Sequence, residues 1–269
     1  ARGAARAGGL AGPPRGTGAP GRGALACARV ARRTRGPSPG GWMRRGGRRR
    51  GANLLPMRAV PDPARPSLVL ASASPRRMDI LAGAGLRFEV EPSHVDEDFD
   101  PRLAPQQAGA ELARRKAAAI AQRHAGSARF VIAADTLVAL EPSGPGRPWS
   151  YLGKPQDADE ARSFLRRLSG SRHRVLTAVA VQRCRDGALF AGQAETWVRM
   201  RTLTAAEIEA YVGSEEWRGK AGGYAIQESA DAFVVALEGD FDTVVGLPLA
   251  LTLELLAAAG AGPLARGET

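Results

Sequence analysis

Two regimes of hydrophobic patterning divide the chain. Over residues 1–65, Arg, Gly, Ala and Pro follow one another without a sustained helical or strand period. Such a segment cannot bury enough apolar surface to offset an ordering cost of about 1–2 kcal/mol per residue, so it is expected to be a disordered leader. From Ser67 the pattern becomes periodic. Ser67–Ala71 is a short apolar run that predicts a strand. Ser74 is a good N-cap and Pro75 suits the first helical position. That helix runs to about Ala82, with Gly83 and Gly85 at its end. Arg87–Glu91 predicts a strand, followed by an acidic loop, Asp96-Glu97-Asp98-Phe99-Asp100. Residues 106–123 predict an Ala-rich helix, and Phe130–Ala134 a buried strand that ends at Asp135.

Residues 141–155 are rich in Pro and Gly and are expected to be a loop. Asp159–Leu168 predicts an amphipathic helix, with Ala161, Phe164, Leu165 and Leu168 at i, i+3, i+4 and i+7. Ser169-Gly170 stops it. Arg174–Arg183 and Glu195–Leu203 alternate as strands. Thr204 and Glu207 form a capping box ahead of Ile208, Tyr211 and Val212. Ala232–Leu237 and Thr243–Val245 are strand-like, and Leu249–Ala259 closes the pattern as a helix with Gly260 behind it. There is no internal repeat. Interleaved strands and helices over residues 66–262 predict an α/β domain, with a flexible tail over 263–269.

Composition changes this picture in one respect. With 44% hydrophobic and 24% charged residues, the chain suits a soluble globular enzyme. No run approaches the roughly 18 apolar residues a membrane helix requires. Cys27 and Cys184 stand too far apart in sequence to suggest a metal-ligand pair, and a disulfide framework is not expected, which fits a reducing compartment. The net charge of +11 invites a nucleic-acid partner. However, residues 1–65 hold 15 Arg, no Lys and only Asp62, a net of +14, while the remaining 23 basic and 26 acidic residues net −3. The basic character belongs to the leader, and nucleic acid is not expected at the folded part. The chain opens on Ala1, and the leader reads most simply as translated sequence ahead of a start at Met43 or Met57. An organelle transit peptide is the minority alternative, and Arg-rich nucleic-acid binding comes third.

Several segments could carry chemistry. In Ser72-Ala73-Ser74-Pro75-Arg76-Arg77 a strand feeds a turn that opens a helix. The first helical turn has free N–H groups and a partial positive charge, and the two hydroxyls and two guanidinium groups add donors matched to phosphate oxygens. Ser-Pro is also a common helix start, so this motif alone decides nothing. Asp135, with Thr136 behind it, is expected at the C-terminal end of a buried strand, the edge where open α/β sheets bind ligands. Its carboxylate could hold a divalent metal or activate a water; an isolated instance would be a turn aspartate. Glu97 offers the second carboxylate such a metal site wants, though acidic loops are commonly just solvated. Lys116 falls on an otherwise apolar helical stripe, four residues from Leu112 and from Ile120, and either snorkels to the surface or points into a cleft. Lys154-Pro155 follows the long loop. In Lys220-Ala221-Gly222-Gly223-Tyr224-Ala225-Ile226-Gln227 the glycines allow close backbone approach to a ligand, Lys220 could meet phosphate, and Gln227 suits a base edge. His94, His124 and His173 have no zinc-ligand spacing and are read as structural or exposed.

Residues 67–262 resemble the Maf family of nucleoside triphosphate pyrophosphatases. The resemblance rests on Leu70–Arg77, Ala134-Asp135-Thr136, Lys154-Pro155, Leu168-Ser169-Gly170 with His173 and Thr177, Lys220–Gln227, and Gly239-Asp240-Phe241 leading to Val245-Gly246-Leu247-Pro248. It implies an α/β fold with a central mixed β-sheet flanked by helices and an active-site cleft between two lobes. It implies hydrolysis of a nucleoside triphosphate to the monophosphate and pyrophosphate with a divalent cation, Mg²⁺ or Mn²⁺, and a link to nucleotide-pool sanitation and cell-division arrest. By motif position Asp135 would be the proton acceptor, and Glu97 would assist it, both at the metal. Ser72, Ser74, Arg76, Arg77, Lys116, Lys154 and Lys220 would surround the triphosphate.

The uninterrupted Ser-Pro-Arg-Arg, with Arg77, Thr136 and Gln227 as specificity positions, is similar to the branch acting on dTTP and UTP. The alternative is the branch preferring 7-methyl-GTP, which inserts an aromatic residue after the proline. Glu228-Ser229-Ala230-Asp231 departs from the small, Gly-rich stretch usual after Gln227, and the loop 141–150 is longer than usual. The expected partner is a nucleoside triphosphate, with neither nucleic acid nor membrane, a homodimer as an open option, and a cytoplasmic place of work. A non-catalytic nucleotide sensor regulating division is the rival from another class; Asp135 and Glu97 argue for catalysis instead.

Overall fold

The computed structural model describes residues 68–144 and 147–262; the expectations for the leader and for the tail over 263–269 lie outside them. The element order is β1 (Leu68–Leu70), α1 (Pro75–Gly83), β2 (Phe88–Val90), α2 (Pro105–Arg123), β3 (Phe130–Leu140), β4 (Ser150–Leu152), α3 (Ala158–Leu168), β5 (Arg172–Arg183), β6 (Leu189–Met200), α4 (Ala205–Gly213), β7 (Val234–Glu238), α5 (Phe241–Val245) and α6 (Leu249–Ala258). The strands form one mixed, open sheet in the order β2-β1-β3-β5-β6-β7, with β4 on β3. The α/β class and the central mixed sheet flanked by helices are as expected. Among the described residues, no helix is long and apolar enough to cross a membrane.

The long strand β3 organises the molecule. One edge pairs antiparallel with β5 from Phe130 to Ala139. Its other edge is shared. Phe130–Ile132 pairs parallel with β1, and Val138–Leu140 pairs antiparallel with β4. Between those two partners the edge carries no strand. Asp135 is therefore not at the end of its strand, as the sequence suggested, but in the middle of it. What ends is the parallel neighbour: β1 stops at Leu70, opposite Ile132. A ligand crevice at the carboxyl edge of a parallel strand still results, because β1 and not β3 terminates there.

Three apolar clusters fix this arrangement. Ile132 and Ala134 on β3 pack with β1 and with Leu81 of α1 and Leu256 of α6. Val131 and Ala133, on the opposite face, pack with Ala113, Ala117 and Ile120 of α2. Beyond the open stretch, Val138 joins Leu152, the buried face of α3 and Ile208, Tyr211 and Val212 of α4. Each fully buried Leu or Ile contributes about 1.5–3 kcal/mol. The predicted stripe of α3 is buried at all four positions, and Asp157 caps the helix by accepting from the Glu160 N–H at 2.8 Å. The Thr204–Glu207 capping box forms at α4.

Four local expectations change. Ser74 occupies the N-cap of α1 but makes no side-chain cap bond; Ser72 Oγ instead accepts from the Ser74 N–H at 3.2 Å. The loop 141–155 contains β4, a strand too short to show a period. The second alternating strand is Leu189–Met200, beginning earlier than Glu195 and ending before Leu203. Its first half alternates exposed and half-buried positions without a matching apolar–polar pattern; at Gly192 an added Cβ would lie 2.8 Å from Leu251, and the missing side chain lets α6 pack onto the strand. Finally, Thr243–Val245 belongs to the short helix α5, not to a strand. The chain turns there because Gly246, at φ 119°, ends the helix, with Gly246 N–H and Leu247 N–H both donating to Asp242 C=O. Local turn bonding overrides the β-propensity of Thr-Val-Val.

Candidate active site

The open stretch of β3 forms the floor of a cleft of about 1010 Å³. The candidate site residues read from the sequence all line it: the whole Ser72–Arg77 turn, Glu97, Lys116, Asp135, Thr136, Lys154, Lys220 and Gln227. Strand alternation sends Asp135 and Thr136 to opposite faces of the sheet. Asp135 shares the face of Val131 and Ala133 and meets α2; Thr136 shares the face of Ile132 and Ala134 and meets α1.

On the α2 side the Lys116 ammonium is buried and does not snorkel. Its Nζ donates to Asp135 Oδ1 at 2.5 Å and to Glu97 Oε1 at 2.7 Å. Glu97 Oε2 accepts from Lys154 Nζ at 2.7 Å. Burial pushes the Glu97 carboxyl up, but the hydrogen bonds and charges of Lys116 and Lys154 outweigh it and hold the group at about 2. The acidic loop is clamped from behind. Arg115 Nη1 donates to the backbone carbonyls of Asp96 and Asp98 at 2.9 Å each, and its Nη2 to Glu111 at 2.6 Å. Sequence reasoning missed Arg115, because nothing in helical period separates an arginine that grips a loop from one that is solvated.

On the α1 side Arg77 is a structural fork. Its Nε donates to Gly246 C=O at 2.8 Å, Nη1 to Ser72 Oγ at 3.1 Å and Nη2 to Thr136 Oγ1 at 3.2 Å. Thr136 Oγ1 lies 2.9 Å from Thr177 Oγ1, which donates to Thr243 C=O at 2.7 Å. Arg77 thus ties the phosphate-type turn to β3, β5 and the end of α5. Burial pushes its guanidinium pKa down from the ordinary value, and the field of Asp135 opposes that. Arg76 lines the cleft with no hydrogen bond or ion pair among the described residues.

The far wall is the turn Lys220–Gln227. Its glycines serve packing and not ligand approach: Gly222 and Gly223 have φ of 74° and 69°, and a Cβ would meet Val138 and Pro155 at 3.1 Å. Tyr224 is buried behind the turn, with its hydroxyl 2.8 Å from His173 Nε2. Burial lowers the His173 pKa to about 4, in keeping with a structural histidine. Lys220 Nζ donates to Glu228 Oε2 at 2.5 Å, a contact the sequence did not suggest, while Gln227 is exposed in the cleft. Cys184 is a free, buried thiol.

The described residues contain no cluster of three or more metal-ligating side chains. Glu97 and Asp135 nevertheless converge on one cationic atom, Lys116 Nζ. A pair of carboxylates around a position that already accommodates positive charge fits Mg²⁺, which takes one or two protein carboxylates and completes its shell with water and phosphate oxygens.

Residues 67–259 match the model of the family described as Maf-like protein. A dTTP/UTP pyrophosphatase of Maricaulis maris is 49% identical over 203 residues, covering 74% of this chain and 92% of the relative. Those of Cereibacter sphaeroides and Rhodospirillum rubrum are 47% and 46% identical, covering 72% and 73% of this chain and 95% and 89% of their own lengths. With a family match over residues 67–259 and relatives 46–49% identical over 72–74% of its length, the chain belongs to the Maf-like protein family.

Proposed function

We propose that this protein hydrolyses dTTP and UTP to the monophosphate and pyrophosphate. The observation that carries the reading is the convergence of Asp135 and Glu97 at the floor of a cleft rimmed by Arg76, Lys154 and Lys220, together with relatives that bear this activity in their names. Asp135 engages Lys116 through Oδ1, leaving Oδ2 to accept a proton from a water directed at the α-phosphorus. Charge that grows on the departing pyrophosphate is met by the cationic side chains of the rim. Glu97 and Asp135 would hold a divalent Mg²⁺ or Mn²⁺, which when bound would neutralise phosphate charge. Gln227 offers both a donor and an acceptor to a pyrimidine edge.

A reducing, cytoplasmic place of work is part of this reading. The test is pyrophosphate release by the purified protein across canonical, modified and 7-methylated nucleotides, with Mg²⁺, with Mn²⁺ and after chelation. Preference for dTTP and UTP, lost with EDTA, is expected. A tenfold preference for 7-methyl-GTP would overturn the substrate assignment, and nucleotide binding without turnover would make the protein a sensor.

A further inference from the structure

One ion pair in the cleft lies outside the carboxylate centre. Lys220 has a side chain only 10% exposed, and its Nζ is engaged by Glu228, whose side chain is 42% exposed. Both residues line the cleft. The contact is built rather than incidental, because the backbone on either side of Glu228 is held. Glu228 N–H donates to Ala225 C=O at 3.1 Å, and Glu228 C=O accepts from Asp231 N–H at 3.0 Å. Ser229 donates to Glu216 through its N–H at 3.1 Å and its Oγ at 2.6 Å. Lys220 is fixed in turn by Gly223 N–H on its carbonyl at 2.9 Å.

The asymmetry of the pair gives it a direction. A nearly buried ammonium requires a counter-charge, since an unpaired charge there is costly. The glutamate, half in solvent, can turn outward with little loss. When a phosphate oxygen arrives at Lys220, the two anions compete for one ammonium, and the more exposed one yields. We propose that Glu228 is a specificity-determining residue of this site. It holds Lys220 until a ligand brings enough negative charge to displace it, and it retakes Lys220 as products leave. The cleft thereby discriminates by the charge delivered at Lys220, favouring a triphosphate over a monophosphate or pyrophosphate. This rests on the pyrophosphatase reading for its biological sense, but not for its test.

The test is calorimetric binding of inorganic tripolyphosphate and of pyrophosphate to the full chain, in the unsubstituted protein, Glu228→Gln, Lys220→Met and the double variant, beside the KM for UTP. Glu228→Gln should tighten pyrophosphate about fivefold, the range of a partly exposed, charge-assisted pair, and should tighten tripolyphosphate and lower the KM for UTP by less. Equal gains for the two ligands would leave the discrimination unchanged and overturn the specificity role. In the Lys220→Met background the second substitution should change affinity less than twofold. Unchanged or weaker binding in Glu228→Gln overturns the proposal. So does an equal gain with Lys220 absent, which would reduce Glu228 to diffuse repulsion. If the unsubstituted protein binds tripolyphosphate yet hydrolyses neither dTTP nor UTP, the pyrophosphatase reading fails while the binding constants of the four proteins for the two ligands still decide the role of Glu228.

Discussion

Exchanging either partner of the Asp135–Lys116 pair perturbs the same 2.5 Å contact, yet the two exchanges should differ in what they cost the fold. In Asp135→Asn, Lys116 keeps Glu97 Oε1 at 2.7 Å as a charged partner, and the new amide oxygen can still accept from Nζ. The loss is one charge-assisted bond downgraded to a neutral acceptor, about 1–2 kcal/mol. For a fold of this size that lowers Tm by about 2–8 °C. Turnover should fall by about two to four orders of magnitude, because the amide cannot take a proton. In Lys116→Met both Asp135, whose side chain is 8% exposed, and Glu97 lose their shared cation. Glu97 retains Lys154, but Asp135 keeps only the distant field of Arg77, so a cost of about 3–5 kcal/mol is expected. Differential scanning fluorimetry and pyrophosphate release, run on both variants, separate the two profiles. Turnover of Asp135→Asn within threefold of the parent would remove Asp135 as proton acceptor. Equal Tm losses in the two variants would refute the claim that Glu97 shelters Lys116.

Three other predictions follow from the same geometry. Arg115→Ala releases the carbonyls of Asp96 and Asp98 that flank Glu97; kcat should fall about tenfold with little change in Tm, and Arg115→Lys should rescue it only in part because an ammonium cannot fork to both carbonyls. An unchanged kcat in Arg115→Ala would refute the clamp. His173 titrates at about 4 in the fold, below its unfolded value of about 6.5. Folding favours the neutral ring, so its contribution is complete above about pH 6.5 and is lost as pH falls toward 4. Chemical denaturation should show about 3 kcal/mol vanishing over that window, with a smaller loss in His173→Gln; identical pH profiles would refute it. Gly239 has φ 127°, and a Cβ there would lie 2.5 Å from Thr196 Oγ1 and 2.7 Å from Glu195 C=O. Gly239→Ala should therefore cost about 2–4 kcal/mol by urea titration, and a cost below about 0.5 kcal/mol would mean that β6 yields to the new methyl group.

The amphipathic elements were legible because their signal is local. The stripe of Ala161, Phe164, Leu165 and Leu168 and the Thr204–Glu207 box depend on neighbours within two turns, so the chain states them directly. The motifs were legible for a related reason: phosphate chemistry needs particular groups, and Ser72, Arg76, Arg77, Lys116, Asp135 and Lys220 announce themselves by type. Their purposes were less so. Period alone left Lys116 between snorkelling and a cleft, and the answer came from two carboxylates far from it in sequence. Gly222 and Gly223 looked like room for a ligand, but Val138 and Pro155 fill the space. Thr243–Val245 looked like a strand, but the Gly246 turn makes it helical.

The sequence by itself determined the α/β class, most helices, the chemical inventory of the cleft and the family resemblance, since each is written in residue type, order or short-range period. Tertiary structure alone decided that Asp135 lies in mid-strand at a gap left by β1 and β4, that Arg115 grips the Glu97 loop, and that Glu228 holds Lys220. Those facts depend on which distant segments pair and where their pairing stops, and no local pattern records the end of a neighbour's strand.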